Sequence, residues 1–243
     1  MKNSLFIFFA IGIIGCSKDQ EESSLTLEQM ISNADVVLDN VIACAAKIDK
    51  DTSISVFFYP REGATDLRYF ETENTIVDKN NFKNYREVKP RLLPVFNGYL
   101  NKFEVASSLT EKWVIVSFRE DNKIHLSNPI RLKQLTKPTE YLPEKLTINS
   151  INEMPKFSWE DGMYQDTKIY FQVISDANNN LFSGTYTFEK QFQYYKLNNV
   201  VLNITTATPP ELQKNNTYNF TLMAVSEDNW VNLLMEKTFT IEN

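Results

Sequence analysis

From residue 53 onward the chain is a succession of short β-type segments, and this constrains its fold more than anything else in it. Ile54-Ser55-Val56-Phe57-Phe58-Tyr59 is rich in β-branched and aromatic residues and stops at Pro60-Arg61-Glu62-Gly63, a turn signal. Asp66 to Glu73 follows as a second strand. Trp113 to Arg119 and Lys123 to Lys133 flank Asp121-Asn122, a hairpin pattern. Pro129 lies inside the second arm, and proline cannot donate to a ladder, so that arm is expected at an edge or at a bulge. The second half repeats the rhythm. It contains Lys156-Phe157-Ser158-Trp159, then Thr167 to Ser175 with Ile169, Phe171 and Val173 on one face, and a turn at Asp176 to Asn180. Leu181 to Tyr195 continues the sheet; Val200, Leu202 and Ile204 alternate on one face; Tyr218 to Val225 and Leu233 to Ile241 close the unit. The pattern is all-β, in two halves of β-sandwich size.

Residues 25–47 admit two readings. Leu27, Met30, Ile31, Ala34, Val37, Leu38, Val41 and Ala45 recur at helical spacing, and Thr26 with Gln29 fits a capping box. The alternative, preferred because everything after it reads as β, is a short helix or linker and then a first strand near 40–47. Thr136-Lys137-Pro138-Thr139-Glu140-Tyr141-Leu142-Pro143 reads as a short, stiff link between the halves.

The N-terminus carries the most specific signal. Lys2 is followed by an uncharged apolar run from Leu5 to Ile14, too short to span a bilayer, and then Gly15-Cys16. Ile13-Ile14-Gly15-Cys16 resembles the lipobox of bacterial lipoproteins. That resemblance makes Cys16 the acylated first residue of the mature chain, and several acyl chains hold a protein on a membrane almost irreversibly. Ser17-Lys18-Asp19-Gln20-Glu21-Glu22 resembles the acidic surface-export signal of Bacteroidota lipoproteins, which implies the outer face of the outer membrane. The expected organisation is a signal peptide (1–15), a lipidated, flexible acidic tether with a short helix (16–35), an immunoglobulin-like sandwich (36–137), a linker (138–144) and a second sandwich (145–243).

The second half also resembles a fibronectin type III domain. Trp159 sits in an early strand, and Leu212 precedes Tyr218-Asn219-Phe220-Thr221-Leu222-Met223-Ala224-Val225, followed by a turn at Ser226 to Asn229 and a last strand. The resemblance gives Tyr218 and Leu212 the roles of a tyrosine corner. The first half, with Trp113 near the Tyr position and no clear Leu partner, is immunoglobulin-like only.

Composition removes most chemistries. The chain has 1 His and 2 Cys, so neither a multi-His metal site nor a Cys/His zinc cluster can be built. Loss of Lys2 with the signal leaves 24 Lys+Arg against 31 Asp+Glu, net −7, with no basic footprint for nucleic acid or anionic lipid. Cys44 lies in the apolar stretch Val41 to Ala46 and reads as buried and unreactive. Four glycines remain after the signal, far apart, so no phosphate-cradling loop exists. His125 shares a strand face with Lys123 and Ser127, expected to be solvated, and no G-x-S-x-G supplies a nucleophile. Asp176-Ala177-Asn178-Asn179-Asn180 begins like a calcium loop but lacks the following Gly and the twelfth-position Glu, so it reads as a hairpin turn. The carboxylate pairs Glu71 with Glu73 and Glu160 with Asp161 read as solvated. The Asn-x-Ser/Thr triplets at Asn203, Asn216 and Asn219 are chance matches in a bacterial lipoprotein.

No cofactor, metal site or catalytic group is expected, and the chain reads as a non-enzyme. The expected function is that of a surface lipoprotein serving as a protein-binding accessory subunit of an outer-membrane complex. The alternative is a glycan- or ligand-binding module in nutrient uptake or adhesion. For that alternative the candidate binding loops are Met163 with Tyr164, and Asp228, Asn229 and Trp230, which a fibronectin-like topology places at one end as an exposed aromatic patch.

Overall fold

The computed structural model describes residues 24–48, 50–150, 153–194, 196–205 and 208–242. The acylation and export residues, Cys16 and Ser17 to Glu22, lie outside the described residues. The first unit runs α1 (Leu27–Ile31), β1 (Val36–Val41), β2 (Ala43–Ala46), β3 (Ser53–Phe58), β4 (Thr65–Glu71), β5 (Arg86–Val88), β6 (Arg91–Val95), β7 (Leu100–Ala106), β8 (Trp113–Glu120), β9 (Lys123–Ser127) and β10 (Ile130–Arg131). The second runs β11 (Glu140–Tyr141), β12 (Leu146–Asn149), β13 (Lys156–Trp159), β14 (Thr167–Asp176), β15 (Leu181–Thr187), β16 (Gln191–Gln193), β17 (Val200–Asn203), β18 (Thr217–Ser226) and β19 (Val231–Thr240).

These strands make four sheets. Sheet I has the order β1-β9-β8-β4-β5, with β10 also on β8; sheet II is β2-β3-β7-β6. Sheet III is β11-β19-β18-β14-β15-β17, and sheet IV is β12-β13-β16. Sheets I and II enclose Ile54, Val56, Phe58, Val114, Val116 and Phe118, the first sandwich core. Sheets III and IV enclose Phe157, Trp159, Tyr170, Phe220, Leu222 and Met235, the second. The fold is therefore all-β, two sandwiches in tandem, and the second carries its tyrosine corner: the Gln213 N–H donates to the Tyr218 hydroxyl at 2.8 Å beside buried Leu212.

A third apolar layer joins the two. Period-two alternation sends Ile54, Val56 and Phe58 of β3 toward sheet I, and Phe57 with the following Tyr59 the other way. There they meet Phe171 and Val173 of β14, Tyr186 of β15, and Met223 and Val225 of β18. β14 and β18 of sheet III are buried on both faces, β3 of sheet II is covered by sheet I on one face and by sheet III on the other, and the sandwiches pack face to face there. The expected stiff link does not stand free. Thr139 accepts a hydrogen bond from the Lys47 N–H (3.0 Å) and donates one to the Val231 carbonyl (2.8 Å). Glu140 and Tyr141 then pair with Leu233 and Leu234 in parallel, so the segment between the two prolines is a strand of sheet III.

Local features follow from the residues. Of the two readings of 25–47 the preferred one holds: a five-residue helix, started by the Thr26–Gln29 capping box, gives way to strands at Val36–Val41 and Ala43–Ala46, the first of them earlier than expected, and the helical spacing does not extend past Ile31. Asp121 (φ 50°) and Asn122 (φ 62°) make the left-handed turn that a tight hairpin needs. Pro129 falls between β9 and β10, which pair with β8 in registers one residue apart, so the proline marks a bulge. Val200, Leu202 and Ile204 do not share a face. The β15–β17 register shifts between Tyr186 and Thr187, leaving Val200 against the second core and Ile204 against the seam. Leu181 to Tyr195 likewise divides, because β16 crosses to sheet IV.

His125 is not solvated; it is 7 % exposed. Its ring stacks on Phe118, its cross-strand partner, at 5.4 Å. The opposite face of β9 is covered too: Ile124 and Leu126 pack with Phe70, Ile115, Tyr85 and Leu27 of α1. An N-terminal helix and the loop before β5 thus roof a face that the strand pattern alone leaves open.

Candidate functional site

The seam between the sandwiches is latched at two places. At the first, the β18–β19 hairpin enters the open end of the first sandwich. Trp230 is fully buried (0 % exposed) among Val41, Ala45, Phe58, Ile130 and Leu132, and its indole N–H donates to the Lys137 carbonyl at 2.7 Å. The Ala45 N–H donates to the Asn229 carbonyl (3.0 Å), and the Arg131 N–H to the Asp228 carbonyl (3.0 Å). The Asp228 carboxylate pairs with Lys133 at 2.7 Å. At the second latch the Tyr99 hydroxyl donates to the Ile204 carbonyl (2.7 Å), and the Asn97 amide donates to the Asn178 carbonyl (3.0 Å) and Asn180 Oδ1 (2.8 Å).

Trp230 therefore takes no part in the exposed loop patch of the ligand-binding alternative, and it is buried in the other sandwich rather than on the end of its own. The two candidate loops do converge, but around Lys137: its carbonyl holds Trp230, and its ammonium sits 4.7 Å from the Tyr164 ring centroid and pairs with Asp166. Met163 is 71 % exposed, with its N–H bound to Glu140. Asp228 and Asn229 serve the latch. The loops build the seam, and no three-residue aromatic patch faces solvent there.

Beside the latches a cleft of about 430 Å³ opens between the sandwiches. Sheet II supplies Ala43, Cys44 and Phe57; sheet III supplies Phe171, Tyr186, Leu202 and Met223. Phe171 and Tyr186 stack at 4.4 Å and form an aromatic wall. The Cys44 sulfur lies 4.0 Å from that of Met223, and burial pushes the Cys44 thiol up to about 12. It is therefore protonated at physiological pH and unsuited to nucleophilic attack. Burial, and secondarily Cys44, also raises the Tyr186 hydroxyl well above its ordinary value, so it too stays neutral. That hydroxyl has no hydrogen-bond partner among the described residues.

The mouth is polar. Parallel pairing of β1 with β9 shifts register between Val37 and Val41, around Asp39 (φ 52°), and this bulge brings Asp39 and Asn40 to the rim. Arg61, from the turn after β3, closes one side. Its Nε and Nη2 bind the Glu120 carboxylate (2.8 and 2.6 Å), Nη1 donates to the Asn40 carbonyl (2.7 Å), and the guanidinium lies 4.9 Å over Phe118. The Arg61 hydrogen bond, with its charge, holds the Glu120 carboxyl below the usual range. Arg61 Nη2 has two hydrogens and three neighbours: Glu120, Asn40 Oδ1 (2.9 Å) and His125 Nδ1 (2.9 Å). Spending them on the two oxygens leaves His125 Nδ1–H to donate to Asn40 Oδ1 at 2.7 Å, which fixes the tautomer. Arg61 is thus neutralised by Glu120, whereas Asp39 has no ion-pair or hydrogen-bond partner among the described residues.

Of the other groups singled out in the sequence, Glu71, Asp161 and Asp176 are used structurally, so Glu71 is not the solvated carboxylate expected. Glu71 pairs with Lys112 and accepts from Tyr69; Asp161 pairs with Lys190 (2.7 Å) and accepts from Tyr170 (2.7 Å). Asp176 accepts from the Asn178 and Asn180 N–H groups at 2.8 Å, a hairpin turn. Among the described residues no group of three or more His, Cys, Asp or Glu is placed to hold a metal ion. The cleft residues come from segments far apart in the chain, and no local motif marks them.

No protein-family model matches the chain, and no curated protein matches it. Among solved structures it is similar to the FN1–FN3 domains of chicken CNTN1, at 12 % identity and TM-score 0.33, over 86 % of this chain and 69 % of that one. It is also similar to a two-domain fibronectin type III segment of chicken tenascin, at 14 % identity and TM-score 0.25, over 83 % and 99 %. Similarities of this size carry no functional argument, and the two-sandwich description rests on the sheets and their registers.

Proposed function

We propose that the chain is a non-catalytic, lipid-anchored protein of the outer-membrane surface. It binds a small ligand in the cleft between its sandwiches and serves an outer-membrane complex as an accessory subunit. The lipobox-like Cys16 and the acidic run after it support the location. The cleft carries the binding reading: its volume falls within the roughly 300–1,000 Å³ of small-molecule sites, and its lining is apolar with a few polar groups at the rim. Burial of Trp230 removes the support for a loop patch and leaves the cleft as the feature that supports binding. The protonated Cys44, and a His125 ring engaged with Asn40 and Phe118, favour binding over catalysis.

The test is affinity purification of the tagged full-length chain from mildly solubilised native outer membranes, beside a Leu202→Glu variant that puts a charge on the cleft wall. The expected result is one protein partner at near-equal stoichiometry with both. An organic-solvent extract should hold a small molecule with the wild type only. A lone monomer yielding identical extracts from both forms overturns the reading.

A further inference from the structure

The residues that line the cleft bear on what it can accept. Its walls are apolar and aromatic, from Phe57, Phe171, Leu202 and Met223. Inside it, the neutral Tyr186 hydroxyl offers one unsatisfied polar contact. At its mouth the only cation among the lining residues, Arg61, is cancelled by Glu120, and Asp39 is left with an uncompensated carboxylate. The Asn128 and Asn229 side-chain amides, also at the mouth, have no hydrogen-bond partner among the described residues. The formal net charge of the chain, −6, adds a long-range field of the same sign as Asp39.

Building on the binding reading above, we propose that the cleft takes a small amphipathic molecule with an apolar ring body and a hydrogen-bond-donating, non-anionic head. The body lies against the Phe171–Tyr186 wall and the Cys44–Met223 sulfur pair. The head, a hydroxyl or an amine, donates to Asp39 at the rim, with the asparagine amides beside it. An anionic head meets the bare carboxylate with no free cation to offset it. Fatty acids and sulfonated or phosphorylated amphipaths are therefore rejected even when their apolar part fits.

A matched pair of probes tests this. N-phenyl-1-naphthylamine and 8-anilinonaphthalene-1-sulfonate share one ring system and differ by the sulfonate. Binding is followed by fluorescence on the full mature chain carrying Cys16→Ser, which removes the acylation site and the need for detergent. A second sample also carries Leu202→Glu, which puts a charge on the cleft wall, so loss of binding there reports that a probe occupies the cleft. The neutral probe is expected to saturate, to lose its binding with Leu202→Glu, and to bind about tenfold more tightly than the sulfonate, the scale of one partly screened charge contact. Asp39→Asn keeps a residue that tolerates the left-handed backbone at that bulge and removes the charge. It should tighten the sulfonate severalfold and leave the neutral probe nearly unchanged. If both probes bind equally, both lose binding with Leu202→Glu and Asp39→Asn changes neither, the charge selection is wrong and the ligand-binding reading stands. If neither probe saturates, or Leu202→Glu leaves the binding of both unchanged, both are wrong.

Discussion

Replacing Trp230 with alanine removes the plug that joins the sandwiches, and its cost can be worked from its surroundings. The side chain is completely buried in the core of the first sandwich although it belongs to a hairpin of the second. An indole buries roughly 200 Å², which at about 25 cal/mol per Å² gives about 5 kcal/mol as an upper estimate. Deleting it also strands the Lys137 carbonyl, its acceptor at 2.7 Å, for a further cost of about 1 kcal/mol. Partial collapse of the site offsets some of this, and measured Trp→Ala losses in cores run at about 3–5 kcal/mol. The assay is urea denaturation followed by circular dichroism and by tryptophan emission. The wild type should unfold in one transition seen alike by both probes. Trp230→Ala should lower the stability by about 3–5 kcal/mol and separate the transitions, because the first sandwich loses core that the second supplied. Trp230→Phe keeps most of the area, loses only the N–H donor, and should cost about 1–2 kcal/mol. A Trp230→Ala loss below about 1 kcal/mol, the scale of an ordinary surface change, refutes the plug.

Three other outcomes follow from named contacts. Arg61→Ala leaves Glu120 without its guanidinium and frees the β1 rim, and should cost about 1–2 kcal/mol at neutral pH by urea denaturation. Arg61 holds the Glu120 carboxyl low, so the stability it contributes is present above the ordinary glutamate range and lost on acidification; the gap between wild type and variant should therefore shrink as pH falls through that range. Gly184→Ala sets a Cβ 2.7 Å from Ile204 Cγ1 beside the seam and should lower the melting temperature, with a cost of about 1–3 kcal/mol. Cys44 is displaced from 9.0 to about 12 by burial, so the folded chain holds a proton that the unfolded chain releases. Its contribution is complete below 9.0 and fades as pH rises toward 12. A Cys44→Ala variant should therefore lose stability less steeply than the wild type over that interval in parallel melts.

Local chemistry was legible where a few adjacent residues decide it. Asp121-Asn122 turns the hairpin, Thr26 and Gln29 cap the helix, and Leu212 with Tyr218 forms the corner. The seam was harder because it depends on faces. A strand covered on one side alternates, whereas one covered on both carries apolar residues at consecutive positions. Phe220 to Val225 and Tyr170 to Ile174 are apolar at consecutive positions apart from Thr221 and Gln172, and every residue in both runs is buried. Reading Phe171 and Val173 as one half of an ordinary alternation placed them correctly on a shared face but left open what covers it, which is sheet II. Trp230 follows a loop of charged and polar residues, and such a position reads as exposed until the neighbouring sandwich is present to receive it. His125 failed in the same way, since its cover comes from Phe118 across the hairpin and from Arg61 and Asn40 of distant segments. The cleft was not legible at all, because Asp39, Cys44, Arg61, Tyr186 and Met223 meet only after both sandwiches have packed.

The central claim is that the two sandwiches form one body, with the second inserting Trp230 into the first. Nuclear Overhauser contacts from the Trp230 indole in the folded chain test it most directly. The account predicts strong cross-peaks from the indole ring to the methyl groups of Ala45 and Val41, together with slow exchange of the Ala45 amide bound to Asn229. An indole that contacts only residues of its own sandwich, with a freely exchanging Ala45 amide, would contradict the packed seam and remove the cleft with it.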